Sequence, residues 1–422
     1  MNIKKWTTIA VVGIVAAAGS AVAQVDPMTE IDDALHGGSL KGSLGVIYTD
    51  MNTNDVADVN WNAVIDRDAG AGFYQVEYLT DAYMGLQLGI DILAVGEFYE
   101  NELDLGYTSN NGPDASLRQA YAKYSFGNED TYILFGRHVP VAPELLDAEY
   151  ARGLALSFGQ RFPDMGFRLS ASMLDRYNSS IRWDEEGIVP WVDMDETGGA
   201  NNLYALTADV ELAAGMLRVK PYALFQSEFA AAYGLQAGAD YEVEGAAVSF
   251  VADYYVVSND DDNAVNANDA NAYRVYFSGA SQQGYSAGMG YYAYSDEPNQ
   301  LFTGNWLNEL PSMDDTLTNL GGADVVDDFV GLGSETVWFD FGYTFRPLSF
   351  AFQYGNYNDD RRYDYDQWMV KLSYALSQAF EVTLKGVYGK SSNNHERPAG
   401  VPAGQDEEFD AYVYQIYGVY TF

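Results

Sequence analysis

Apolar and polar positions alternate with a period of two along most of this chain, and the alternation is cleanest at its end. Counting back from Phe422, one parity reads Phe422, Tyr420, Gly418, Ile416, Tyr414 and Tyr412. The other reads Thr421, Val419, Tyr417, Gln415 and Val413. Successive side chains of a strand point to opposite faces, so this segment presents an apolar, aromatic face and a mixed one. Residues 84–92 repeat the pattern: Met84, Leu86, Leu88, Ile90 and Ile92 oppose Gly85, Gln87, Gly89 and Asp91. Residues 337–345 and 367–374 do the same. The pattern predicts strands over 40–50, 69–80, 83–95, 117–126, 131–138, 153–159, 166–174, 203–212 and 216–225. It continues over 230–241, 246–257, 272–278, 284–294, 336–345, 348–357, 365–374, 380–388 and 409–422.

A soluble sandwich also alternates, so the connections carry more weight than any one strand. Joints at Gly215, Arg346-Pro347 and Ser377-Gln378 are tight, and so are those after the second, fourth, tenth and twelfth strands. Joints after odd-numbered strands are mostly long: 51–68, 96–116, 178–202, 258–271, 295–335 and 390–408. Two of them, near 227–229 and 358–362, are short. Short turns at one end and long loops at the other is the layout of an outer-membrane barrel. The fold class is therefore all-β, a transmembrane antiparallel β-barrel. The count favours 18 strands over 16, an even number that leaves both termini on the turn side.

The N-terminus assigns the compartment. Lys4 and Lys5 precede an apolar run, Ile9 to Ala18, and the small-x-small site Ala21-Val22-Ala23. This is a signal-peptide pattern, too short to cross a bilayer as a helix. The expected organisation is a signal peptide over 1–23, a short periplasmic lead-in over 24–39 and the barrel over 40–422. The lead-in includes a helix-compatible piece at 29–35. Localisation in the cell outer membrane follows.

The chain has no Cys, which excludes disulfides, thiolate catalysis and Cys-bound metals. Its 34 Tyr suit a membrane interface, where an amphipathic ring sits at headgroup depth. The net charge of −39 makes nucleic acid an improbable partner and concentrates in runs such as Asp260–Asp262, Asp327-Asp328 and Asp406–Glu408, between strands. Those runs solvate loops or bridge through divalent cations to lipopolysaccharide; both readings stand.

Enzyme chemistry is sparse. Only His36, His138 and His395 are present, with no zinc-protease, nucleophile-elbow, Walker or dinucleotide motif, so no enzyme and no cofactor is expected. The charged positions within strands are more informative. Lys123, Arg168, Arg218, Lys220, Arg274, Lys371 and Lys385 fall on the polar parity, and Arg137 joins them although its strand alternates poorly. A lipid-facing Arg or Lys near mid-bilayer costs roughly 2–4 kcal/mol, which favours an inward aim. Glu77, Asp91, Asp209, Glu211, Asp240, Asp253, Asp340 and Glu381 share that parity. If basic and acidic groups oppose each other across the lumen, a transverse field results; otherwise the charges only keep the lumen wet. After the fifth strand, 139–150 carries two Pro, an apolar centre and three acids. If it folds inward, Glu144, Asp147 and Glu149 face a constriction opposite Arg137, Arg152 and Arg168.

Three stretches resemble the OprD-like outer-membrane porin family. They are Ile31-Asp32-Asp33-Ala34-Leu35-His36-Gly37-Gly38-Ser39-Leu40-Lys41-Gly42, Gln119 to Arg137 with QAYAKYSF and LFGRH, and Tyr365 to Gly389. The resemblance implies an 18-strand channel for small substrates. The expected function is an outer-membrane porin passing ions and small hydrophilic solutes by passive diffusion. The alternative is a plugged, structural or export barrel, with 295–335 and its Leu301, Phe302, Trp306, Leu307 and Leu310 as a lid. Expected partners are outer-membrane lipid and lipopolysaccharide, the barrel-assembly machinery, which would read Tyr420 and Phe422, and small solutes. A homotrimer is compatible with the sequence.

Overall fold

The structure is a computed structural model. It describes residues 34–54, 65–101, 114–127, 130–138, 152–178, 192–193, 202–226, 230–259, 270–295, 334–359, 364–392 and 409–422. Eighteen antiparallel strands form the wall. The first six are β1 (Ser39–Asn54), β2 (Ile65–Leu79), β3 (Leu86–Asn101), β4 (Asp114–Phe126), β5 (Thr131–His138) and β6 (Arg152–Phe162). They continue as β7 (Phe167–Asn178), β8 (Leu203–Leu212), β9 (Leu217–Gln226), β10 (Ala230–Val243), β11 (Ala246–Asn259) and β12 (Ala270–Ser281). The last six are β13 (Tyr285–Tyr294), β14 (Ser334–Phe345), β15 (Leu348–Asp359), β16 (Asp364–Ala375), β17 (Phe380–Ser392) and β18 (Phe409–Thr421). A two-residue strand, Val192–Asp193, pairs with the end of β7 in the same sheet and does not span the wall.

Each strand pairs with its neighbours in sequence, and β18 pairs with β1 from Ser43↔Thr421 to Asn54↔Asp410. Gly42 and Phe422 exchange backbone hydrogen bonds of 3.0 Å at the seam. The sheet is therefore a closed cylinder with no free edge, the only way a sheet satisfies its backbone groups in hydrocarbon. The eighteen segments expected from alternation are the eighteen wall strands, several of them longer by a few residues. Strand β3 is shorter at its start, because 80–85 form the turn and Met84 takes a φ of 50°.

The joints after even-numbered strands, all short, lie at one end. Between β10 and β11, Glu244 and Gly245 both have positive φ, 49° and 81°, the mirror-type turn that matches strand twist. The first described residue, Ala34, and the C-terminal Phe422 lie at this turn end. A helical turn at 34–36 docks on the β2–β3 joint through Asp81 N–H to Ala34 O, and the Tyr78 hydroxyl donates to Leu35 O.

The outer face is the apolar parity: Leu44, Val46, Leu88, Ile90, Val337, Phe339, Val370, Leu372, Leu384 and Ile416 are all exposed. Aromatic rings bracket this belt. At the loop end, Phe339, Tyr354, Trp368, Tyr388 and Tyr412 run across five consecutive strands with neighbouring centroids 4.8–5.3 Å apart. Their hydroxyls find acceptors: Tyr354 donates to Asp366 at 2.6 Å and Tyr388 to Asp410 at 3.1 Å. At the turn end, Tyr285 stacks on Tyr343 and Tyr420 on Phe422. An apolar belt between two aromatic girdles is the surface of a membrane-spanning barrel.

The inner face carries its own device. Five aromatic rings lie over glycines directly across the strand pair: Phe73 over Gly45, Tyr121 over Gly89, Tyr132 over Gly159, Tyr222 over Gly234, and Trp338 over Gly290. A Cβ at any of these glycines would overlap the ring. The missing side chain lets each ring lie flat on the wall instead of standing into the lumen.

Candidate functional site

The charged groups that sequence places inward do face the lumen, and their grouping is set by irregularities in the wall. Strand β4 carries one extra residue opposite Asp91 and Ile92: Gln119 pairs with Asp91 and Leu117 with Ile92, leaving Arg118 between them. Such a bulge turns a side chain to the other face. Arg118 is thereby aimed inward, where its Nε lies 3.7 Å from Asp91 Oδ2, both side chains being nearly inaccessible. Gln75 Nε2 donates to Asp91 Oδ1 at 3.3 Å. On the next strand Gly136 has a φ of 120°, a region that side chains disfavour, and the distortion brings both Arg137 and His138 to the buried side. Arg137 lies within electrostatic reach of Arg118 and of Asp91. Two arginines, Asp91 and its cross-strand partner Glu77 thus share one patch of wall across β2–β5.

His138 continues the patch. Its Nδ1 lies 3.0 Å from Gly136 O and its Nε2 2.8 Å from Ser157 Oγ, which lies 2.7 Å from Ser172 Oγ. Since a carbonyl only accepts, Nδ1 carries the proton and Nε2 accepts from the Ser157 hydroxyl. A base and a hydroxyl in contact are two parts of an acyl-transfer site. Here Ser157 is fully buried and the orienting group is a backbone carbonyl, so the pair has no approach for a substrate and acts as a clamp across β5, β6 and β7.

A second cluster lies on β9–β12. Asp253 accepts from Tyr222 at 2.8 Å and from Gln236 at 3.3 Å, and pairs with Arg274 at 3.2 Å. All but Arg274 are fully buried. Tyr222→Phe removes one donor to a carboxylate that keeps two others. The expected loss is roughly 1 kcal/mol, read from urea unfolding of the refolded barrel; a loss above about 3 kcal/mol would mean that the hydroxyl organises the whole cluster.

Nearer the turn end, Lys220 pairs with Asp209 at 3.5 Å, and Arg218 pairs with Asp240, which also accepts from Ser249 at 2.7 Å. These pairs join neighbours on one side of the wall, so they neutralise locally and do not build a field across the lumen. Lys123 lies 5.4 Å from the centroid of Tyr132, and Lys371, the cross-strand partner of Lys385, lies 5.8 Å from that of Tyr417. A ring face is a weak cation acceptor, worth about 0.5–1 kcal/mol at an accessible site.

Of the expected constriction residues, Lys123, Arg168, Arg218 and Lys371 lie on the lumen face of described strands, while Arg137 is buried opposite Ala120 and Leu154, on the parity of the lipid-facing residues. Arg152 is in β6, but its side chain lies outside the described residues, as do Glu144, Asp147 and Glu149. Tyr420 and Phe422 are exposed on the outer face. Arg118 and Arg161 are lumen-facing groups that alternation did not reveal. Counting by twos from Lys123 sends Arg118 to the lipid side, and only the bulge reverses it. Arg161 lies past the expected end of its strand. Among the described residues no group of three or more carboxylate or imidazole side chains could hold a metal ion.

No protein-family model and no curated protein matches the chain. Solved structures do match in fold. OccK9 (OpdG) of Pseudomonas aeruginosa superposes with a TM-score of 0.67 at 13% identity, covering 92% of this chain and 100% of its own. The outer membrane protein OpdK of Pseudomonas aeruginosa gives 0.63 at 12% identity, covering 91% and 99%. OccAB4 of Acinetobacter baumannii gives 0.62 at 12% identity, covering 91% and 98%. OpdK has also been solved with vanillate.

Proposed function

We propose that this chain, whose barrel has the fold of the OprD/Occ proteins, is an outer-membrane porin for passive diffusion of ions and small hydrophilic solutes. The observation that carries the reading is the contrast between the two faces of one closed wall. The outside is apolar between aromatic girdles, while the inside holds Asp91, Arg118, Asp253, Arg274, Lys371 and Lys385 along its middle. That many ionisable groups on a wall cost little only where the lumen holds water and solute. No energy source or catalytic step is required. Export by the segment 1–23, recognition of Tyr420 and Phe422 by the assembly machinery, and contact with lipopolysaccharide belong to the same reading.

Selectivity in this reading comes from the mid-wall, where Arg118 pairs with Asp91 and Lys371 lies directly across from Lys385. Cations set along the wall favour anions, and a carboxylate-bearing ring such as the vanillate solved with OpdK fits that chemistry. The refolded protein should give discrete conductance steps in planar bilayers. Under a salt gradient its reversal potential should have the sign of anion preference. A cation-selective potential would hand control to the acidic loop residues, Glu144, Asp147 and Glu149 among them. The absence of steps from heat-modifiable, folded protein would overturn the porin reading itself.

A further inference from the structure

At the turn end of the lumen a cavity of about 520 Å³ opens between β6 and β11. Its charged lining is Arg161, Arg168, Arg218, Lys220, Asp209 and Glu211. The last two cations are already matched, Lys220 by Asp209 and Arg218 by Asp240. Arg161 and Arg168 are different. They are direct cross-strand partners on β6 and β7, both on the lumen parity and both exposed. Neither forms an ion pair among the described residues; Arg168 lies opposite Asp209 on β8, but that carboxylate is held by Lys220. Like charges directly opposite in a strand pair repel, and nothing in the strand geometry requires them there: the flanking pair, Gly159 with Ser170, is small and neutral.

We propose that Arg161 and Arg168 form a binding site for a phosphate dianion, free or as a small phosphate monoester, at the turn-end mouth. Each guanidinium offers paired N–H donors in a fixed plane. A tetrahedral dianion presents oxygens to two such forks at once and cancels both charges. A monocarboxylate fills one fork and leaves the repulsion in place. Lys220 and Arg218 are held by their own carboxylates and do not compete for the ligand. The cavity is large compared with phosphate alone, leaving room for a small ester substituent. The site is a matter of binding at one mouth and is independent of whether solutes cross the lumen.

The test is isothermal titration of the refolded full-length barrel in a non-ionic detergent at low ionic strength. Inorganic phosphate, glycerol 3-phosphate, succinate and acetate are titrated separately. Phosphate or glycerol 3-phosphate should bind at one site per chain, at least about tenfold more tightly than acetate, and tighter binding of the ester identifies an organic phosphate as the ligand. Arg161→Gln and Arg168→Gln, each checked for heat-modifiable migration, should each weaken binding about tenfold. Lys390→Gln, on the outer face, should leave it unchanged. Arg161→Lys keeps the charge but loses the fork and should fall between. No binding of either phosphate to the folded wild type overturns the proposal. So does acetate binding as tightly as phosphate, succinate binding more tightly, or equal weakening by Lys390→Gln.

Discussion

Arg118→Met will destabilise the barrel by about 3 kcal/mol, far more than its place in the alternation would suggest. The arginine looks lipid-facing when the strand is counted by twos, and a lipid-facing arginine exchanged for methionine should gain stability. The bulge reverses the sign. Arg118 and Asp91 are both nearly inaccessible, and removing the cation leaves a buried carboxylate short of its partner. Breaking a buried pair from one side typically costs about 3–5 kcal/mol, while replacing both partners with apolar groups is often neutral. The low end applies here, because Gln75 still donates to Asp91 and Arg137 remains within electrostatic reach. The double variant Arg118→Met/Asp91→Leu should therefore recover most of the loss. Urea unfolding in lipid vesicles, followed by tryptophan fluorescence, separates the cases. A single variant as stable as the wild type would place Arg118 in lipid and remove the bulge from the argument.

Gly290→Val will abolish or nearly abolish folding to the heat-modifiable form. Gly290 is the cross-strand partner of Trp338, which is fully buried with its ring over the glycine. A Cβ there overlaps the ring, and both strands are held by ladder bonds that cannot part without opening the wall. Trp338 must then leave its site, at a cost similar to losing a buried tryptophan, about 3–5 kcal/mol. Gly386→Ala is the control. Its Cβ would meet the Tyr414 ring at 3.7 Å, an ordinary contact, and the variant should migrate as the wild type does. Equal behaviour of the two variants on unheated gels would mean that glycine serves only as a flexible residue at 290.

The architecture was legible because alternation is a statement about two solvents. Val337, Phe339 and Phe341 face lipid, Trp338 and Asp340 face the lumen, and a period of two records that division directly. The chain end was legible for the same reason: the Phe422 parity closes on β1. The site was legible only where strands are regular. Arg168, Arg218 and Lys371 obey the period and were found. Arg118 breaks it through an inserted residue, and a bulge has no fixed signature in one sequence. Arg137 was singled out despite poor alternation, and its register partners Ala120 and Leu154 lie on the lipid-facing parity. Arg161 was passed over because Gly159 looked like a strand end. That glycine is instead the seat of Tyr132, and the strand runs on to Phe162. Register shifts fall only on the wall from β2 to β7 among the described strands, which is why reading by twos worked better on the other two thirds of the circumference.

The rings seated over glycines also act as a check on how strands are threaded. A slip of one residue throws a ring to the opposite face. A slip of two keeps the face but changes the seat. Tyr222 would then meet Ala232 or Gln236 in place of Gly234, Tyr121 would meet Gln87 or Asp91, Tyr132 would meet Ser157 or Arg161, and Phe73 would meet Ser43 or Ile47. Every one of those seats is filled by a side chain. Hairpins β1–β2, β3–β4, β5–β6 and β9–β10 therefore each have one alignment in which the ring lies down, and misthreaded alternatives are penalised before the cylinder closes. Glycines that weaken an isolated strand in water thus serve as the proofreading positions of the assembled wall.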